Sequence, residues 1–295
     1  MSSRPNFFIV GAMKSGTSTL YEYLQSHPQI FMSKVKEPSY FVDRETLEAM
    51  WPDMAEMGFW RGEEFYLELF ADAGDAVAIG EASTNYSKLP RIQHVAERIA
   101  AFEPAARIIY IMRDPVQRTI SHYWHNVKAG VERRPLERAL RDDAYFREVS
   151  HYAMQLRPYY ANFGAENVLP LLFEDLRDAP LSVAQGVYAW LGVEAGYVPA
   201  DIGQSYNVKP EQIEQVRGGG LLRSLRYSKA WSMLGPAVPP AIRALGRRLE
   251  TRPVEPKAVS TDAAVAFLRP IQQEQTRELA ELTGLTFEKW TTLQG

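Results

Sequence analysis

Short apolar runs alternate with segments of helical periodicity along much of the chain. The apolar runs are Phe7–Val10, Ala76–Gly80, Arg107–Met112 and Asn167–Phe173. Runs of this length without polar alternation are typical of strands that are buried on both faces of a sheet. We therefore expect each run to form a strand with apolar neighbours above and below it.

Helical periodicity fills two of the intervals between these runs. After residue 19, four positions recur at helical spacing: Leu20, Tyr23, Leu24 and His27. Pro28 is expected to end this helix. Between residues 91 and 102 a second apolar stripe is formed by Ile92, Val95, Ile99 and Phe102. Strands that alternate with helices predict an α/β fold, in which helices cover both faces of a parallel sheet.

The C-terminal third has a different pattern. Gly and Pro interrupt short helical fragments there, and a long helical stretch follows at residues 260–284. No repeat, low-complexity tract or linker separates this part from the rest. We therefore expect a single domain over residues 1–295, in which residues 200–295 are appended helices and a candidate lid.

Composition narrows the class of protein. The chain has 295 residues, of which 46% are hydrophobic, so it can bury a large core. Its net charge of -3 argues against a nucleic-acid partner, because binding to phosphates usually needs a basic surface. It has no Cys, and no apolar segment of signal-peptide or transmembrane length is present. The expected location is the cytoplasm, and the oligomeric state stays open.

The segment GAMKSGTST at residues 11–19 directly follows the first predicted strand. In a nucleotide-binding P-loop the lysine follows the second glycine, but here Thr17 occupies that place and Lys14 lies inside the loop. A strand that enters such a turn and leaves as a helix presents backbone N–H groups and the positive end of the helix dipole to an anion. The amides and hydroxyls that serve this purpose belong to Ser15, Gly16, Thr17, Ser18 and Thr19.

The strand at Arg107–Met112 is followed by Arg113, where a magnesium-dependent P-loop enzyme has a carboxylate that holds the metal. Asp114 comes next, but in front of Pro115 it is expected to stabilise a turn. This pattern favours an anionic ligand that is bound without a metal ion.

Several longer motifs occur in a defined order. They are IVGAMKSGTSTL, HPQI, KEPSYF, GEASTNY, IIYIMRDPVQRTISHY, FGAENVLPLLFEDLRDAP, WLGV and LTGLTFEKW. This series resembles the sulfotransferases that use 3′-phosphoadenosine 5′-phosphosulfate (PAPS), particularly their bacterial and heparan-type branch. The resemblance implies a three-layer P-loop-like fold with a central parallel β-sheet, flanking helices and further C-terminal helices. It also implies PAPS as the cofactor, 3′-phosphoadenosine 5′-phosphate (PAP) as its product, and no required metal.

The same resemblance implies a cofactor site. The segment Lys14–Thr19 corresponds to the loop that binds the 5′-phosphosulfate, and Arg113 with Ser121 corresponds to the 3′-phosphate site. Because Ser121 lies about two helical turns beyond Arg113, we expect the intervening DPVQR to fold back as a turn. Arg217 and Gly218 loosely resemble the segment that closes over the 3′-phosphate, although the lysine of that segment is missing.

Two residues are candidates for catalysis. Lys14 would lie beside the bridging oxygen and stabilise the charge that grows on the departing phosphate. Glu37 matches the glutamate that serves as base in the heparan-type branch. In an extended segment Lys36 would point away from Glu37. Glu81 stays open as an alternative base, as do the five histidines His27, His94, His122, His125 and His151.

The expected reaction is transfer of a sulfuryl group to a hydroxyl of a small metabolite, a carbohydrate or a lipid-linked acceptor. Two other classes remain open: a P-loop nucleotide kinase and a non-catalytic nucleotide-binding protein. A kinase would require magnesium, and a binding protein would show no turnover.

Overall fold

The computed structural model describes residues 4–204, 213–216 and 251–294. These residues contain a five-stranded parallel sheet with the strand order β2-β3-β1-β4-β5. Its strands are β1 (Phe7–Gly11), β2 (Ile30–Met32), β3 (Ala78–Ala82), β4 (Arg107–Met112) and β5 (Val168–Leu172). A separate antiparallel pair is formed by β6 (Ile213–Val216) and β7 (Thr251–Val254).

The predicted strands are confirmed, with ends that shift by one or two residues. No apolar run predicted β2, because it has only three residues. The expectation of burial on both faces is wrong for β5, whose residues 169–172 are only half-buried. The reason is that β5 lies at the edge of the sheet, where a strand has a single neighbour.

The described residues also contain twelve α-helices. They are α1 (Thr17–Gln25), α2 (Arg44–Met50), α3 (Pro52–Met57), α4 (Glu63–Leu67), α5 (Val95–Phe102), α6 (Pro115–Lys128), α7 (Leu136–Asp142), α8 (Tyr145–Glu148), α9 (Tyr152–Phe163), α10 (Phe173–Asp178), α11 (Pro180–Leu191) and α12 (Asp262–Thr283). The first predicted helix ends before Pro28 as expected. The stripe at residues 91–102 is helical only from Val95, because His94 has a left-handed backbone with φ of 62°.

Alternate residues of the central strands divide the core into two layers. Phe7 and Ile9 face one core, which also contains apolar residues of α1 and α11. Phe8 and Val10 face the other core, which contains apolar residues of α5 and α9. This alternation follows from the two-residue period of a strand, and it produces the predicted three-layer arrangement of helix, sheet and helix.

The C-terminal part of the chain contributes to these cores. Leu268 of α12 is buried in a cluster with residues of α6 and α7. Leu279 and Trp290 are buried in the same core as Phe8. The single domain over residues 1–295 stays a prediction, because residues 205–212 and 217–250 lie outside the described part.

Candidate active site

The candidate residues gather at the carboxyl edge of the parallel sheet. β1 leads into the glycine loop, β2 into the segment with Glu37, and β3 into residues 83–88. On the other side of β1, β4 leads into Arg113 and β5 into Phe173. The carboxyl ends of parallel strands are where open α/β sheets bind their ligands.

The glycine loop ends at the N-terminus of α1. Gly16 is the N-cap residue and has φ of 91°, and a Cβ atom there would lie 2.8 Å from Cδ2 of Phe173. Only glycine satisfies both constraints. Lys14 also has a positive φ of 69°. The Ser15 hydroxyl is fully buried and has no hydrogen-bond partner among the described residues. This helix start therefore offers backbone amides and a buried hydroxyl to an anion.

Arg113 lies next to this loop. Its Nη1 donates to the carbonyl of Lys14 over 3.3 Å, and its guanidinium lies 4.9 Å from the centre of the Phe173 ring. Burial lowers the pKa of Arg113, although nearby Tyr152, Glu174 and Asp114 act in the opposite direction. In the part of the chain that the structure describes, Arg113 forms no salt bridge. A half-buried guanidinium that forms no salt bridge with these described residues is a suitable place for an anionic ligand.

The expected fold-back of DPVQR is wrong. Asp114 instead caps α6, since its Oδ1 accepts the amides of Val116 and Gln117 at 3.1 Å each. A proline at the first helical position favours this continuous helix over a turn. Ser121 is buried about two turns along α6, and no hydrogen bond joins it to Arg113 within the described residues. The predicted stabilising role of Asp114 is confirmed, but it acts at a helix start.

Glu37 is held by the turn that follows β3. The amide of Thr84 donates to Oε2 of Glu37 over 2.7 Å, and the Thr84 hydroxyl lies 3.2 Å from Oε1. The amide of Glu37 donates to the carbonyl of Ala82 over 2.9 Å. The Glu37 carboxylate therefore has a defined orientation at the end of β3.

Lys36 does not point away from Glu37, contrary to the expectation for an extended segment. Glu37 has a left-handed backbone with φ of 62°, so the alternation of an extended strand does not apply there. The Lys36 ammonium lies 3.9 Å from Oε1 of Glu37 and donates to the Ser18 hydroxyl over 2.6 Å. Burial lowers the pKa of Lys36, while the charges of Glu37 and Glu22 oppose that shift. Lys36 thus connects the candidate base with the first turn of α1.

The sequence model of the sulfotransferase family matches residues 5–197 of this chain. The chain belongs to the sulfotransferase family. A solved sulfotransferase from Alicyclobacillus acidocaldarius has a TM-score of 0.69 at 27% identity, over 98% of this chain and 99% of that one. A sulfotransferase domain from the Synechococcus olefin synthase shares the fold, with a TM-score of 0.52 at 15% identity over 97% and 96% of the two chains.

Curated members of the family match over shorter lengths. A membrane-associated sulfotransferase, kil1, from Dictyostelium discoideum is 34% identical over 42% of this chain and 23% of its own length. A bifunctional heparan sulfate N-deacetylase/N-sulfotransferase from Mus musculus is 25% identical over 65% of this chain and 23% of its own length. The matches thus span less than a quarter of these relatives.

Lys88 is a further candidate site residue, which the motifs in the sequence did not indicate. Its side chain is buried, its ammonium donates to Oδ1 of Asn85, and its Nζ lies 4.2 Å from the centre of the Trp51 ring. Burial lowers the pKa of Lys88 to about 8, and the charge of Glu37 opposes this shift. The available signal was a lysine shortly after a predicted buried strand, which is where parallel sheets place ligand-binding residues.

Glu81 is less suited than Glu37 to act as the base. It is fully buried in β3, and the Tyr66 hydroxyl donates to its Oε2. Burial raises the pKa of Glu81 to about 7, although hydrogen bonds from Tyr66, Tyr86 and Ser83 oppose the shift. A side chain without exposed surface does not reach an acceptor, so the geometry favours a structural role.

Two of the histidines, His122 and His125, are poorly suited to act as the base. His122 is buried beside Arg118, and burial keeps its pKa well below the usual range. Burial and the charges of Lys14, Lys88 and Lys128 lower the pKa of His125 to about 4. An imidazole with such a low pKa is a weak proton acceptor at neutral pH.

Arg217 and Gly218 lie outside the described residues. Within the described ranges, no cluster of His, Cys, Asp and Glu has the geometry of a metal site. None of the described helices is long and apolar enough to cross a membrane.

Proposed function

We propose that this chain transfers the sulfuryl group of PAPS to a hydroxyl group of a small metabolite, a carbohydrate or a lipid-linked acceptor. The observation that carries the proposal is the arrangement of Lys14, Lys36 and Glu37 around the start of α1. The loop supplies positive charge and amides for an anion, and Lys36 joins Ser18 on this loop to the carboxylate of Glu37. A proton acceptor thus lies beside an anion site.

The residues present fit a donor with several anionic groups. Among the described residues, the Ser15 hydroxyl is buried without a hydrogen-bond partner, and the half-buried Arg113 guanidinium forms no salt bridge. Buried polar groups of this kind are usually satisfied in the functional state of a protein. We assign the loop Lys14–Thr19 to the 5′-phosphosulfate and Arg113 with Ser121 to the 3′-phosphate.

In the proposed reaction, Glu37 accepts the proton of the acceptor hydroxyl as the acceptor oxygen forms a bond to sulfur. The bond between sulfur and the bridging phosphate oxygen breaks, and PAP leaves. Lys14 stabilises the negative charge that develops on this oxygen. Thr84 holds Glu37 in one orientation, so the base is in place before the acceptor binds. The positive charge of Lys36 weakens the electrostatic repulsion between Glu37 and the anionic donor.

A more specific part of this proposal is the chemical class of the acceptor, which is a hydroxyl compound. The motifs that resemble the heparan-type branch favour a sugar hydroxyl. The matched heparan sulfate relatives are named N-sulfotransferases, so an amine is the alternative acceptor that the experiment must distinguish. The cytoplasmic location stays a sequence-based prediction that cell fractionation tests.

Incubation of the purified chain with PAPS carrying a radioactive sulfuryl group tests the proposal. The acceptors are two disaccharides that differ only in a hydroxyl or an amine at one carbon, with and without a metal chelator. We expect label on the hydroxyl compound in both conditions. Label only on the amine would contradict the acceptor assignment. PAP binding without any label transfer would favour the non-catalytic alternative, and phosphoryl transfer from ATP that requires magnesium would favour the kinase.

A further inference from the structure

Two buried carboxylates lie directly behind the candidate 3′-phosphate site. Glu174 is the second residue of α10, and Asp114 precedes α6. Oε1 of Glu174 accepts the amide of Asp114 over 3.0 Å, and its Oε2 accepts the indole N–H of Trp290 over 3.1 Å. Glu174 therefore links the end of β4 to the C-terminal segment at residues 287–293, which we call the C-terminal clamp.

The second carboxylate contacts the same clamp. The Thr292 hydroxyl donates to Oδ1 of Asp114 over 2.5 Å, and the Thr292 amide donates to Oδ2 over 3.1 Å. Asp114 accepts these bonds while it caps α6. A carboxylate that accepts four hydrogen bonds is strongly constrained in position. The backbone at the start of α6 is therefore fixed by a residue 178 positions away in sequence.

Arg113 lies immediately before this fixed point. The Tyr152 hydroxyl donates to the carbonyl of Arg113 over 2.7 Å. The same hydroxyl oxygen accepts the Arg113 amide over 3.3 Å. Phe173, which packs under the guanidinium, is the residue before Glu174. A change in the contacts of Glu174 or Asp114 would thus move both the backbone of Arg113 and the ring beneath its side chain.

The clamp also contacts the tyrosine that holds Arg113. Trp290 is fully buried, and the centre of its ring lies 5.8 Å from that of Tyr152. The Trp290 ring also stacks on Phe287, with 4.2 Å between the ring centres. The clamp therefore contacts Asp114, Glu174 and Tyr152, and none of these contacts involves the glycine loop.

We infer that Thr292 and Trp290 are positioning residues of the 3′-phosphate site, which act on Arg113 through Asp114 and Glu174. The inference rests on the proposed function, because it assumes that Arg113 binds the 3′-phosphate of the donor. Its specific consequence is selectivity: loss of a clamp contact weakens binding of a 3′-phosphorylated nucleotide and leaves binding of the 5′-phosphate unchanged.

The test uses Thr292→Val, which removes the hydroxyl at almost constant volume and keeps the amide. Calorimetry on the full chain measures the Kd of PAP and of adenosine 5′-monophosphate, which lacks the 3′-phosphate. We expect the Kd of PAP to rise about three- to tenfold, which is the size of the net contribution of one ordinary hydrogen bond, and that of adenosine 5′-monophosphate to stay unchanged. Thr291→Val is the matched control, because Thr291 is exposed next to Thr292.

Two further variants separate positioning from stability. Thr292→Ser restores the hydroxyl and should restore the Kd of PAP, and Trp290→Phe should repeat the selective loss through Glu174. With PAPS as donor, Thr292→Val should raise its KM and leave kcat unchanged.

Equal weakening of both nucleotides, or no weakening, would overturn this inference and leave the proposed function intact. If the unmodified chain does not prefer PAP over adenosine 5′-monophosphate, the proposed function fails, and this inference fails with it.

Discussion

Thr84 and Glu37 are joined by hydrogen bonds from both the amide and the hydroxyl of the threonine. The amide lies 2.7 Å from Oε2, and the hydroxyl lies 3.2 and 3.3 Å from the two carboxylate oxygens. The residues are 47 positions apart in sequence and meet because β3 and the segment after β2 end side by side. This contact orients the carboxylate of the candidate base, and its effect can be tested separately from that of the base itself.

Thr84→Val removes the hydroxyl bond and keeps the amide bond. We expect kcat to fall about tenfold, because the carboxylate loses one of the contacts that orient it. Steady-state kinetics at saturating donor measures this effect. Thr84→Ser keeps the hydroxyl and serves as the control. A valine variant with the kcat of the serine variant would show that the hydroxyl does not orient Glu37.

Glu37→Gln tests the base directly. The amide has nearly the same shape as the carboxylate but does not accept the proton, so we expect loss of sulfuryl transfer with an unchanged Kd for PAP. Label transfer and calorimetry measure the two quantities. Glu45→Gln, which changes an exposed glutamate of α2, is the matched control. Full transfer activity in Glu37→Gln would exclude Glu37 as the base.

Lys14→Ala should reduce kcat at least about a hundredfold, because a preorganised charge beside a leaving group contributes several kcal/mol to transition-state stabilisation. The midpoint of thermal unfolding should stay close to that of the unmodified chain. Lys34→Ala is the control, since Lys34 is a half-exposed lysine that pairs with Asp72. Near-normal turnover of Lys14→Ala would remove Lys14 from the mechanism.

Arg113→Ala should raise the Kd of PAP at least about tenfold, because a charge-assisted contact to the 3′-phosphate is lost. Binding of adenosine 5′-phosphosulfate, which has no 3′-phosphate, should change much less. Calorimetry with both nucleotides measures the difference. Arg138→Ala, at an exposed arginine that pairs with Asp142, is the control. An equal loss of affinity for both nucleotides would show that Arg113 does not bind the 3′-phosphate.

Glu81 should make the free energy of unfolding depend on pH. Burial raises its pKa from 4.5 to about 7, so the folded state favours the protonated acid. Its stabilising contribution is complete below pH 4.5 and is lost as the pH rises through 7. In urea unfolding, Glu81→Gln should therefore gain stability relative to the unmodified chain between pH 5 and pH 8, by about 3 kcal/mol at most. A difference that is constant over this range would contradict the assignment.

Elements that depend on local interactions were predictable from the sequence. The apolar runs predicted β1, β3, β4 and β5, because buried parallel strands need apolar side chains on consecutive positions. Gly16 and the residues around it predicted an anion site at a helix start, because the amides that form it belong to neighbouring residues. The order of the motifs indicated the family for the same reason, since each motif is a continuous segment.

How these segments meet depends on contacts that form only in the folded chain. Lys36 contacts Ser18 across 18 positions, and Thr292 contacts Asp114 across 178 positions. The direction of the Lys36 side chain depends on the left-handed backbone of Glu37. A glutamate rarely adopts this conformation, so the sequence did not indicate it. Contacts of this kind follow from the order of strands in the sheet and from the packing of the C-terminal clamp. A pattern along the chain does not contain them, because the free energy that stabilises them comes from residues that are distant in sequence.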